Sequence, residues 1–155
     1  MTAYVYRMPS TIAGTITRAD NAVVEPVNIS ATNPPLLYGI PVKSTADGIQ
    51  KIIAGAVDAD VYGILVRPFP SSGSLAAGSV ADVLRFGYVG VKTYGSATPV
   101  KGGTVYVRTV VGASAEPVGS FSTVADSTNT FILTGASFTG GKDSNGFAEV
   151  FFSAN

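Results

Sequence analysis

The chain has 155 residues, of which 46% are hydrophobic and only 13% are charged, and its ten basic residues balance its ten acidic ones. This length suits one domain with its own hydrophobic core. A zero net charge disfavours a nucleic-acid-binding protein, because neutralising phosphates requires a basic excess. The chain also has no histidine and no cysteine, which excludes disulfides and removes the commonest general base, thiol nucleophile and zinc ligands.

Residues 1–20 show no sustained periodicity and contain Pro9 and Gly14. We interpret them as an extended N-terminal arm that precedes a β domain at residues 21–155, and we expect the arm to serve partners more than its own core. The candidate interface residues of the arm are Tyr4, Tyr6 and Pro9. The start of the chain does not have the pattern of a signal peptide, and no run reaches the roughly 18–20 apolar residues of a membrane helix, so no membrane contact is expected.

After the arm, short runs rich in Val, Ile, Tyr and Phe alternate with Gly, Pro, Asn, Asp and Ser, as in strands joined by turns. The predicted strands are Ala22–Ile29, Leu36–Val42, Gly48–Ile53, Val61–Arg67, Val83–Lys92, Thr104–Val110, Phe131–Thr134 and Phe147–Phe152. Their spacing predicts an all-β fold, a single compact β-barrel or β-sandwich of about eight short strands. The best helix candidate, Ile52–Asp60, is short and interrupted by Gly55.

Two predicted strands alternate clearly. Val105 and Val107 face one side of their strand, whereas Thr104, Tyr106 and Arg108 face the other. In the last strand, Glu149 shares a face with Phe147 and Phe151. A carboxylate in that place is expected at a sheet edge, in a buried pair or at a subunit contact, so Glu149 is a candidate interface residue.

The segment Arg67-Pro68-Phe69-Pro70 ends one predicted strand. Two prolines restrict the backbone and present Phe69 outside a regular ladder. We interpret Arg67 and Phe69 as candidate partner-interface residues, with the alternative that Phe69 covers its own core. A long loop, Phe69–Ser79, comes next, and Gly112–Asn129 is predicted to contain strand fragments with mobile connections.

Carboxylate motifs are the remaining candidates for a metal site. Asp58 and Asp60 could bind a hard cation, but a solvated turn before the next strand explains them better. Asp143-Ser144-Asn145-Gly146 lacks the further ligands and terminal Glu of a calcium loop, whereas Asn145-Gly146 fits a tight turn. We therefore expect no metal and no cofactor, and folding that does not respond to a chelator.

Three other patterns give no better case for catalysis or ligand binding. Gly140-Gly141-Lys142 lacks the spacing of a phosphate-binding loop, and Thr2, as an N-terminal nucleophile, has no organised base. The tyrosines could form a stacking face for sugars or bases, although Tyr is equally common in ordinary strands and interfaces. They are Tyr4, Tyr6, Tyr38, Tyr62, Tyr88, Tyr94 and Tyr106. A non-enzymatic protein is expected.

The series of strand and turn motifs across residues 9–152 resembles the small structural cement (decoration) proteins of tailed-bacteriophage capsids. The matching segments are Pro34–Val42, Val61–Pro70, Ala81–Tyr88, Lys101–Arg108 and the last strand around Glu149. Each motif alone is only a strand with a turn, so the resemblance depends on their order.

The resemblance implies a β-rich protein that forms homotrimers, or in some phages dimers. It would be made in the host cytoplasm, bind the outer surface of an expanded head and staple neighbouring major capsid protein subunits against the pressure of packaged DNA. Other classes stay open on the sequence: a tail, baseplate or fibre component has a similar composition, and a carbohydrate-binding β-sandwich would need an exposed aromatic platform.

Overall fold

A computed structural model describes residues 12–68 and 75–154. Within these residues the chain forms nine β-strands and no α-helix, so the predicted all-β class is confirmed. Three short 3-10 turns, Ala19–Asn21, Asp58–Asp60 and Ser127–Asn129, are the other regular elements of the described chain. The strands are β1 (Val23–Asn28), β2 (Pro41–Thr45), β3 (Gly48–Lys51), β4 (Gly63–Leu65), β5 (Val80–Lys92), β6 (Thr104–Arg108), β7 (Phe121–Ser122), β8 (Thr130–Phe138) and β9 (Phe147–Ser153).

The strands form one curled antiparallel sheet in the order β3-β2-β4-β5-β9-β8-β6-β7, with β1 also paired to β5. The 13-residue strand β5 is the centre of this sheet. Val83 and Leu84 pair with both β1 and β4, so these two strands lie on opposite edges of β5. Further along, residues 86–92 pair with β9.

Isolated bridges bring the two ends of the sheet back towards its middle. Thr93, directly after β5, bridges to Phe121 in β7, and Ile29, directly after β1, bridges to Ile49 in β3. The sheet therefore curls into two lobes that share β5. One lobe contains β6–β9, and the other contains β1–β4.

The wall formed by β4 and β5 is buried on both faces. Ile64 and Leu84 belong to the larger core, together with residues such as Val89, Val150 and Phe152. Their chain neighbours Leu65 and Val83 belong to a second core with Ile29, Val42 and Ile49. Successive side chains of a strand point to opposite faces, and both faces are covered here. This explains the continuous apolar run around Ile64 and Leu65 in the sequence.

One predicted strand is misplaced, and the helix candidate, already weak on the sequence, is not an α-helix. The predicted strand Leu36–Val42 is shifted, because Gly39 adopts a left-handed φ of 70° that interrupts extended backbone and β2 begins only at Pro41. The helix candidate Ile52–Asp60 contains only the terminal 3-10 turn, and Gly55 has a φ of 80°. In the segment predicted as strand fragments, β7 is a two-residue strand.

No helix in the described parts of the chain has the length and apolar character needed to cross a membrane.

Adjacent residues of β9 give a direct test of which face is the core. Phe152 is 1% exposed in the larger core, whereas Phe151 lies on the opposite face against Phe86 and Tyr88. We expect Phe152→Ala to lower the free energy of unfolding by about 3–5 kcal/mol, and Phe151→Ala to cost less than half as much. Urea unfolding of both variants checks this, and equal losses would contradict the assignment of faces.

Candidate partner-binding site at the root of the N-terminal arm

Residues 12–18, here called the arm root, pair with the edge of β5 that is opposite β9. Gly14 N–H donates to Gly90 O over 2.8 Å, and Gly90 N–H donates to Thr15 O over 2.9 Å. Thr17 N–H donates to Tyr88 O over 3.1 Å, and Ile16 bridges to Val89. The arm root therefore acts as an additional short strand, although sequence analysis placed the whole of residues 1–20 in an aperiodic arm.

A close contact between two glycines fixes the start of the arm root. Gly14 and Gly39 both have left-handed φ values, 87° and 70°. A Cβ added to Gly39 would lie 2.4 Å from Gly14 N, and one added to Gly14 would lie 2.9 Å from Tyr38 Cβ. Side chains larger than hydrogen are excluded from both positions by this approach of the two backbones.

Arg67 secures the same end. Its main-chain N–H donates to Gly14 O over 2.8 Å, and its Nε donates to Ala13 O over 3.1 Å. Its guanidinium lies 4.7 Å from the ring centroid of Tyr38, a distance at which a cation is attracted to an aromatic face. Arg67 thus uses its backbone, its charge and its planar group to hold the arm root against the domain.

Glu149 secures the other end. Thr17 Oγ1 donates to Glu149 Oε1 over 2.6 Å, and Arg18 donates to both carboxylate oxygens, over 3.0 and 2.9 Å. Thr139 Oγ1, from the connection between β8 and β9, donates to Oε2 over 2.5 Å. The Arg18 guanidinium also lies 4.1 Å from the Tyr88 ring centroid. This bidentate arrangement is stronger and more directional than a single-point ion pair.

The electrostatics of Glu149 result from these contacts. Its side chain is 21% exposed, and this burial acts to raise the pKa. The hydrogen bonds from Arg18, Thr139 and Thr17, together with the Arg18 charge, outweigh burial and leave the pKa of Glu149 below its ordinary value of 4.5. The carboxylate is therefore held ionised by the arm root that it binds.

The structure brings together two candidate interface residues that sequence analysis had chosen separately. Arg67 and Glu149 both contact the arm root, one at each end. Tyr4, Tyr6, Pro9 and Phe69 lie outside the described residues. Sequence analysis missed Gly39, Thr17 and Arg18. An isolated glycine in a predicted strand was the available signal for Gly39, whereas no local pattern identifies Thr17 or Arg18.

Exposed apolar side chains lie at the start of the arm root and next to Tyr38. Ile12 is 58% exposed, and Leu36 and Leu37 are 70% and 45% exposed. They adjoin Ala13 and Tyr38, which contact Gly39 and Gly14 respectively. A partner that approaches the point where the arm leaves the domain would therefore meet an apolar surface.

The carboxylates of Asp58 and Asp60 point to separate partners. Asp58 accepts hydrogen bonds from the main-chain N–H and hydroxyl of Thr134. Asp60 accepts from Lys43 Nζ over 2.8 Å and from Val57 N–H over 3.0 Å. They form the predicted turn before β4, and within residues 12–68 and 75–154 no group of three His, Cys, Asp or Glu side chains is placed to hold a metal.

A cleft of about 280 Å³ lies in the lobe of β6–β9, beside Tyr94 and Arg108. The Arg108 side chain is only 10% exposed, because Asp126 at 2.7 Å and Glu116 at 4.0 Å surround its charge. The Arg108 hydrogen bond lowers the pKa of Asp126. The charged groups of the cleft thus pair with one another, and Arg108 closes the base of the loop between β6 and β7.

Among the described residues, Tyr38, Tyr62 and Tyr88 do not form one stacking face. Tyr38, Tyr62 and Tyr88 each lie beneath a different arginine: Arg67, Arg85 and Arg18. The rings of Phe86 and Tyr88 contact Phe151 at angles of 88° and 55°. A flat platform for a sugar ring needs exposed rings in a common plane, so this cluster disfavours the carbohydrate-binding alternative.

A family model described as XM1 gp53 minor capsid protein matches residues 1–151. The chain belongs to this minor capsid protein family. A chain in a solved structure titled "The capsid of Myoviridae Phage XM1" is 23% identical, with 97% of this chain and 95% of that chain covered and a TM-score of 0.72. At that identity the likeness shows a shared fold. No curated protein matches.

Membership of the minor capsid family confirms the resemblance to capsid accessory proteins at the level of the family. It supports a structural role in a phage capsid and a location in the virion. It also suggests a non-enzymatic role.

The Glu149 contacts predict that this minor capsid protein loses stability at acid pH, and that the Glu149→Gln variant loses less. Because the pKa of Glu149 is lower in the folded chain than its ordinary value of 4.5, the folded state binds fewer protons. The stabilisation is complete above that ordinary value and is lost as the pH falls through the folded value. We expect Glu149→Gln to remove this part of the acid sensitivity.

Chemical unfolding of both proteins between neutral pH and about pH 3 measures the difference. Asp47→Asn, in the exposed turn between β2 and β3, is the matched control. Its free energy of unfolding should depend on pH in the same way as that of the wild type. A constant gap between the wild-type and Glu149→Gln proteins across this range would show that the pair is not stabilising.

Proposed function

We propose that this minor capsid protein is a cement protein. It binds the outer surface of an expanded phage head and staples neighbouring major capsid protein subunits, which resists the internal pressure of DNA. The observation that carries this proposal is the double anchoring of the arm root, by Arg67 at one end and Glu149 at the other.

A staple must transmit load between two bodies. Residues 1–11 continue directly from the arm root, so a partner bound to them would pull on residues that are already fixed to β5. The load would pass through the main-chain hydrogen bonds of Gly14, Thr17 and Gly90 and through the Arg18–Glu149 pair. Strand β5 is in turn paired on both edges, so the whole sheet would share the load.

The surface around the arm root supports a second contact with the same assembly. Burial of Ile12, Leu36 and Leu37 would contribute at about 25 cal/mol per Å² of apolar surface before the costs of ordering are subtracted. Phe69 and the arm residues Tyr4, Tyr6 and Pro9 are further proposed anchors. Several weak contacts on a repetitive surface bind tightly together, because dissociation requires all of them to release.

Family membership favours the capsid over a tail, baseplate or fibre as the place of action. The chain has no net charge to keep copies apart, and closed symmetry is the usual result of self-association. We therefore propose a homotrimer at local threefold positions of the capsid, with a dimer at twofold positions as the alternative.

Sedimentation of the purified protein tests its oligomeric state. We expect a mass three times the 15.8 kDa of one subunit, because a threefold object matches the capsid lattice. A mass of two subunits would support the dimer, and a monomer that binds heads would remove self-association from the proposal.

Two truncations separate a role in the partner contact from a role in the fold. Deletion of residues 1–11 leaves the contacts described above between the arm root and the domain in place, so we expect a thermal midpoint close to that of the full chain and weaker binding to expanded heads. Deletion of residues 1–18 also removes the pairing with β5 and two of the hydrogen-bond partners of Glu149, Thr17 and Arg18, so we expect a lower midpoint as well.

The functional measurement uses heads that lack this protein. They should release DNA at a lower temperature than complete heads, and the added full chain should restore them, whereas the chain without residues 1–11 should not. Full restoration by that truncation would assign the staple to the domain surface. Failure of the full chain to bind heads would reject the cement function.

A further inference from the structure

The turn before β9 holds a chemically labile pair, Asn145-Gly146. Asn145 is exposed, and Gly146 has a left-handed φ of 83°. Among the asparagines of the sequence, Asn145 is the one followed by glycine. Because glycine has no side chain, nothing shields its main-chain nitrogen from the neighbouring side-chain amide. We infer that Asn145 is a site of spontaneous deamidation, and that the turn centred on Asp143 suppresses the reaction in the folded chain.

The reaction needs only water and the chain itself. The nitrogen of Gly146 gives up its proton to solvent and attacks Cγ of Asn145, which forms a C–N bond. The side-chain nitrogen takes up a proton and leaves as ammonia, so that a five-membered succinimide remains. Water then opens this ring at one of its two carbonyls, which gives aspartate or isoaspartate at position 145. The overall change replaces an amide by a carboxylate, with no oxidation or reduction.

In the folded turn, the nitrogen of Gly146 is held in a hydrogen bond and is not free to attack. Gly146 N–H donates to Asp143 O over 3.0 Å. On either side, Asp143 Oδ1 accepts from Asn145 N–H over 2.8 Å and from Phe147 N–H over 2.9 Å. Attack on Cγ requires the hydrogen bond of Gly146 to break and its peptide plane to rotate, so the flanking hydrogen bonds oppose the reaction.

The carbonyl groups of the same two residues are also held. Lys92 Nζ donates to Asn145 O. Thr93 donates to Gly146 O from both its main-chain N–H, over 2.8 Å, and its hydroxyl, over 2.9 Å. Both sides of the Asn145–Gly146 peptide bond are therefore tied to the end of β5. The peptide plane is fixed by tertiary contacts as well as by the turn itself.

The turn lies directly before the strand that anchors the arm root. β9 begins at Phe147, opposite Lys92, and carries Glu149. An isoaspartate adds one carbon to the main chain at position 145 and displaces the N–H groups that Asp143 binds. Deamidation would thus loosen the start of β9. The reaction would take place whether or not the protein acts as a cement protein.

Mass spectrometry of the full chain tests for this reaction. Trypsin cleaves after Lys142, so Asn145 lies near the start of the C-terminal peptide, and fragmentation separates it from Asn155. We expect deamidation at Asn145 to be roughly five to ten times slower in the folded chain than in urea at the same pH and temperature, as the loss of one or two net hydrogen bonds implies. Labelling by an isoaspartyl methyltransferase identifies the isoaspartate product.

Substitutions assign the protection to Asp143. Asp143→Ala removes the side-chain acceptor of the turn and should raise the folded rate towards the rate in urea, whereas Ser144→Ala, at an exposed neighbour, should leave it unchanged. Asn21 and Asn28 serve as internal controls. If Asp143→Ala does not fold, the wild-type comparison with and without urea still decides. Equal wild-type rates in the two conditions would overturn the inference, and a rate in folded Asp143→Ala no higher than that of the folded wild type would overturn the role of the Asp143 side chain.

Discussion

Strand β5 organises this fold because it pairs with β1, β4 and β9 and thereby joins the two lobes of the sheet. It is paired on both edges and, with β4, separates two hydrophobic cores. A strand in this position must be apolar on both faces where both are covered, and must also accept close neighbours. The approach of β4 to β5 is close at Gly63, because a Cβ added there would lie 2.4 Å from Val83 Cγ1. The curl of the sheet, the division into two lobes and the seat of the arm root all result from how β5 is surrounded.

The arm root covers part of the edge of β5 that is opposite β9. An unpaired edge of β5 would be available for pairing with other chains, and residues 12–18 cover part of it. Main-chain hydrogen bonds provide this cover, while Arg67 and Glu149 determine where the segment starts and ends. Within the segment, Ile16 packs against the larger core. Ile12 at its start, and Leu36 and Leu37 near Tyr38, are exposed.

Several of the few charges of the protein form ion pairs within the fold. Arg18 binds Glu149, Arg108 lies between Glu116 and Asp126, and Arg85 lies between Glu25 and the Tyr62 ring. Exposed ion pairs contribute little to stability on their own. Here they join elements distant in sequence: the arm root to β9, and a loop to the base of β6.

The all-β class and most strands could be predicted from the sequence, since alternation and turn residues act locally: Val105, Val107 and the Asn145-Gly146 turn are where the pattern predicts. Arg67 and Glu149 could also be recognised as unusual residues. That both bind one segment emerged only from the folded chain, because the contact between Arg18 and Glu149 joins residues more than 130 positions apart. The same holds for Arg108, whose position in the alternation predicts an outward side chain and whose burial depends on Glu116 and Asp126. Local propensity fixes which residues are extended, whereas the partners of a polar side chain depend on how the sheet curls.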